Sequence, residues 1–84
     1  MKLINPSNIT VKLVYELYIY FVDKANKGYG TCIGFDEDRW GIYHKYILNS
    51  YQTINTPSFD DFKTCTDLKN MYIDLIKIKI KYNL

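Results

Sequence analysis

Histidine occurs once in these 84 residues, arginine once, proline twice and cysteine twice. Each scarcity closes off a class of chemistry. With His44 as the single imidazole, Cys32 and Cys65 share one base and neither thiol sits in a nucleophile signature, so cysteine catalysis has little to stand on. The same three residues lie far apart without a CxxC or HxxxH pair, which argues against zinc and leaves no metal or cofactor to expect. Gly28-Tyr29-Gly30 lacks the third glycine and the following helix of a phosphate-binding loop. Asp36, Glu37 and Asp38 are adjacent acids at a helix start, a pattern that serves the helix dipole more often than a divalent ion. The chain therefore reads as a non-enzyme.

Long apolar runs are missing as well. Lys12 and Glu16 interrupt the best candidate before it reaches the roughly 18 to 20 residues that span a bilayer. Met1 to Pro6 lacks the apolar stretch and small-residue cleavage site of a signal peptide, so the expected location is cytoplasmic and both cysteines are expected as reduced thiols. Net charge is only +2, below what a dedicated duplex binder carries. Its distribution is uneven: residues 36–67 are rich in Asp and Glu, whereas Lys69, Lys77, Lys79 and Lys81 face Asp74 alone in the last stretch.

What the sequence has in excess is aromatic surface, 17% of residues, with nine tyrosines, four phenylalanines and one tryptophan. AT-biased coding accounts for part of this. One small domain of this length still has too little interior to hide every ring. Exposed tyrosine, stiff and polar at one end, is good interface material.

The strongest local pattern runs from Asn8 to Asp36. Ile9, Val11, Leu13, Tyr15, Leu17, Ile19 and Phe21 place an apolar side chain at every odd position, Lys24 to Gly28 supplies turn residues, and Tyr29, Thr31, Ile33 and Phe35 resume the alternation. This predicts a hairpin. The rival is a helix over 8–27 with Ser7 as N-cap and Gly28 closing the C-terminus, its stripe formed by Leu13, Val14, Leu17, Tyr20 and Phe21. Residue type, rich in Val, Ile, Tyr and Thr, favours the strand.

After Asp36 the period changes. Trp40, Tyr43, His44, Ile47, Leu48 and Tyr51 predict a helix over 37–50, with Ile42 and Tyr46 off its main stripe. Thr56 or Ser58, Pro57, Asp60 and Asp61 open a second helix whose buried stripe is Leu68, Met71, Tyr72 and Leu75, with Phe59, Phe62 and Cys65 on neighbouring tracks. Ile76 to Tyr82 then alternates Ile and Lys and predicts a final strand with lysines outward.

The expected fold is α+β, a two-layer ββααβ arrangement in which a three-stranded sheet is covered by two helices. The alternative is a three-helix bundle with helices near 8–27, 37–50 and 58–82. The expected role is a protein-binding module, with Trp40, Tyr43, Tyr46 and Tyr51 as partner contacts and a homodimer through an exposed strand as another way to bury the same surface. Small, catalytically empty, AT-biased domains are common among phage and mobile-element accessory proteins that bind and inhibit a host factor, an analogy of size and composition alone. The second expectation is nucleic-acid binding, with Lys69, Lys77, Lys79 and Lys81 tracking phosphates from one strand face.

Overall fold

The computed structural model describes residues 8–47 and 58–84, and among these the chain is helix and turn with no strand. In order come α1 (Val11–Asn26), a short 3-10 turn (Tyr29–Thr31), α2 (Phe35–Ile47), the single-turn α3 (Phe59–Phe62) and α4 (Leu68–Lys81). The expected three-stranded sheet is overturned at all three of its strands, and the three-helix bundle fits better. Its third helix differs from expectation in one respect: a turn at 63–67 divides it into α3 and α4.

The helical reading of 8–27 prevails because the core asks for a stripe that alternation does not supply. Val11, Val14, Tyr18, Phe21, Val22 and Ala25 fall within an arc of about 100° at helical pitch. Val14, Tyr18, Phe21 and Val22 are buried there. Thr10, not Ser7, caps the N-terminus, its hydroxyl accepting from the Leu13 amide at 3.2 Å. At the other end Lys27 closes the helix and Gly28 turns the chain with φ 122°, a conformation that costs a side-chain-bearing residue dearly.

The segment expected as a second strand, Tyr29 to Phe35, is instead the 3-10 residues after this turn and the entry to α2 at Gly34, φ 87°. Asp36, Glu37 and Asp38 then occupy the first turn of α2, where the dipole favours them. Ser58 and Asp61 form a reciprocal capping box on α3, and Asp67 caps α4 by accepting from the Asn70 amide at 3.1 Å. In α4 the Ile-Lys alternation is wound into helix, so that Ile78 is buried while Ile80 is 65% exposed. One exposed isoleucine is a modest cost beside the burial of Met71, Leu75 and Ile78 on the facing side.

Isolated helices of this length are marginal in water, so the core holds them. Its centre is aromatic. The Phe62 ring is met edge-on or obliquely by Tyr15 and Tyr18, both at 5.4 Å between centroids, and by Tyr43 at 6.2 Å. Phe35 in turn packs edge-on against Phe21 and Tyr82. α3 is thus one helical turn whose purpose is to drive Phe62 between α1 and α2. Phe62→Ala is expected to destabilise the domain by about 3 to 5 kcal/mol. Phe59, half-exposed on the same turn, should cost about 1 kcal/mol or less on truncation. Urea unfolding followed by far-ultraviolet dichroism checks the contrast, and equal losses would contradict this placement.

Candidate functional site

The aromatic face expected on α2 is largely interior. Tyr43 is fully buried and Tyr46 nearly so, so neither is displayed to a partner; Trp40 is half-buried, and Tyr51 lies outside the described residues. The helix is rotated from its expected orientation, with Phe35, Arg39, Ile42, Tyr43, Tyr46 and Ile47 inward and His44 outward. Arg39 is the one charged residue among them. The residue is 6% exposed; its guanidinium lies 5.0 Å from the centroid of the Trp40 ring, donates to the Tyr18 hydroxyl at 3.3 Å and is ion-paired with Asp36. Burial pushes the Tyr18 hydroxyl up to about 12 against the opposing pull of Arg39. The lone arginine is therefore a core residue that carries Trp40 as a lid.

The lysines of the C-terminal stretch do not form one face, because a helix spreads 69, 77, 79 and 81 around its circumference where a strand would have aligned three of them. Lys81 donates to the Asp38 carboxylate at 2.8 Å, and Lys77 lies 4.0 Å from Asp74. The acidic middle and the basic end of the chain meet here. Asp38 Oδ2 also accepts from the Tyr82 hydroxyl at 2.8 Å, and Asp74 Oδ2 accepts from the Tyr46 hydroxyl at 2.5 Å and from Lys45 at 3.5 Å. Two carboxylates thus fasten α2 to α4, one at each end of the contact.

Both thiols are free. Cys65 lies 3.7 Å from the Met71 sulfur, and burial pushes its thiol up, away from nucleophilic thiolate. Among the described residues no three His, Cys, Asp or Glu side chains gather as metal ligands. No helix there is long and apolar enough to cross a membrane.

Among the described residues α1 and α4 enclose a groove of about 300 Å³. Leu13, Leu17 and Tyr20 form one wall, Tyr72 and Ile76 the other, with Glu16 and Lys79 at the edges. Two ammonium groups approach the Tyr20 ring, Lys24 at 5.3 Å and Lys79 at 5.4 Å from its centroid. One turn beyond Ile76 on the same side of α4, exposed Ile80 extends the apolar surface. Expectation did not find this site, although Leu13, Leu17, Tyr20 and Lys24 repeat at i, i+4, i+7 and i+11, a second helical stripe beside the core arc. Of the sequence-predicted site residues only Lys79 lines it.

No protein family, curated protein or solved structure matches this chain.

The α2–α4 fastening has a pH signature. Hydrogen bonds from Lys81, then from Tyr82, hold the Asp38 carboxyl below the usual carboxylate range. A carboxyl depressed by folding adds stability above its unfolded pKa and loses it as pH falls through the folded one. Asp38→Asn is expected to lower the thermal midpoint at neutral pH, with the gap to the parent closing below about pH 4. Calorimetry across that range checks it, and a pH-independent gap would contradict the role given to Asp38.

Proposed function

We propose that this chain is a non-enzymatic protein-binding module that docks its partner in the α1–α4 groove. The observation that carries this reading is the second apolar stripe of α1: Leu13, Leu17 and Tyr20 remain half-buried when the core is complete. With Tyr72 and Ile76 they make a furrow of the kind that accepts an amphipathic segment. Aromatic and aliphatic anchors rimmed by charge are the residues that usually carry interface energy. The size and composition fit an accessory protein that acts stoichiometrically on a host factor.

Docking through the groove replaces docking through Tyr43 and Tyr46, since those side chains are committed to the core and to Asp74. Trp40 stays available only as a lid over Arg39. Nucleic-acid binding by Lys69, Lys77, Lys79 and Lys81 is the weaker reading, because their single face is gone and two of the four are ion-paired.

Leu17→Glu and Ile80→Glu, made singly, should each abolish partner retention and cellular activity in the native host. Both should keep helical dichroism and a thermal midpoint within about 4 °C of the parent. Should Trp40→Ala abolish activity without unfolding while the groove variants leave it intact, the docking surface lies on α2 and this reading fails.

A further inference from the structure

We infer that the groove's occupant is an acidic amphipathic α-helix of a partner protein, an inference that rests on the docking role of the groove. The charge around it is the starting point. Among the described residues, Lys27, Arg39, Lys45, Lys63, Lys77 and Lys81 each have a carboxylate within ion-pair distance. The other four lysines have none: Lys12, Lys24, Lys69 and Lys79. All four are on α1 and α4, the two helices that build the groove.

Their positions follow its outline. Lys79 lines it, Lys24 shares the Tyr20 ring with Lys79, and by helical spacing Lys69 is one turn before Tyr72 and Lys12 one turn before Glu16. On these two helices the only acid without an ion pair is Glu16, because Asp23 is taken by Lys27 and Asp74 by Lys45 and Lys77. An apolar furrow with an uncompensated basic rim is complementary to a rod with an apolar stripe and acidic flanks.

The same features weigh against other occupants. A second copy would bring the unpaired lysines of both grooves face to face against one unpaired glutamate from each, and like charges so placed repel. A bilayer surface is approached by a convex apolar face, whereas this one is hollowed between two helices. Nucleic acid would find the lysines, but Leu13, Leu17 and Ile76 offer nothing to a phosphate backbone.

The test uses two labelled helical peptides of about 18 residues with the same leucines at i, i+4, i+7 and i+11, one flanked by glutamates and the other by lysines. Fluorescence anisotropy is read against the whole chain at low salt. The acidic peptide is expected to bind about tenfold tighter, two favourable rim contacts being enough for that ratio. Lys24→Glu/Lys79→Glu should reverse the preference, and Leu17→Glu should abolish binding of the acidic peptide to the parent. Equal affinity for both peptides, lost in Leu17→Glu, overturns the acidic partner and leaves the groove as a docking surface. Failure of both peptides to bind, or binding indifferent to Leu17→Glu, overturns the docking role itself. Two further controls work against the inference: a dimer in sedimentation that Leu17→Glu dissolves, or phosphatidylglycerol vesicles that bind the parent but not Lys24→Glu/Lys79→Glu.

Discussion

The structure depends on α1 being apolar around most of its circumference. Lys12, Glu16, Asp23, Asn26 and Lys27 are its exposed residues, and they share an arc of only about 100°. Everything else must find cover. α2 and α4 cover the Val14, Tyr18, Phe21 and Val22 side, and the single turn of α3 brings Phe62 and Phe59 against Tyr15. Leu13, Leu17 and Tyr20 are covered only in part, and they become one wall of the groove. One excess of hydrophobicity thus produces both the core and the candidate site.

The remaining helices are fixed by charge and hydrogen bonds at the places where hydrophobic packing is indifferent to register. Asp38 gathers Lys81 and Tyr82, and Asp74 gathers Tyr46 and Lys45. Gly34 belongs to the first of these: a Cβ there would stand 3.0 Å from the Tyr82 hydroxyl that donates to Asp38. Arg39 does the same between α1 and α2, exchanging hydrogen bonds with the Tyr18 hydroxyl while its plane supports Trp40. The lysine–carboxylate pairs among them are partly exposed and add little net stability each. Their importance is directional, since they set which side of α4 faces the core and which side borders the groove.

How much of this was legible depended on the element. Charge clusters read well and caps in part: the acids at 36–38 sit in a first helical turn and Ser58 caps a helix, whereas Gly28 follows a helix end only as the rival reading had it and the cap of that helix is Thr10 instead of Ser7. The error at 8–22 has a physical source. A helix buried on several sides leaves polar residues at so few positions that apolar side chains fall on every odd residue by default, and alternation ceases to discriminate. At 76–82 the fact used against a helix, that Ile80 would face water, is what the fold accepts. On α2 the expected stripe shares Tyr43 and Ile47 with the observed core, which also takes in Ile42, Tyr46 and Arg39, the last made tolerable by an aromatic neighbour and Asp36. The groove exists only between two helices, and the alternation expected in α1 and in the second half of α4 makes strands of the residues that line it.

The central claim is that one side of α1 is sealed while an adjacent apolar side meets solvent. Methyl relaxation enhancement by a soluble gadolinium chelate tests it most directly. The methyls of Leu13 and Leu17 should relax strongly, and those of Val14 and Val22, one residue or one turn away, should be protected. Equal protection of all four would mean that the groove is already covered, and the account of docking would be contradicted.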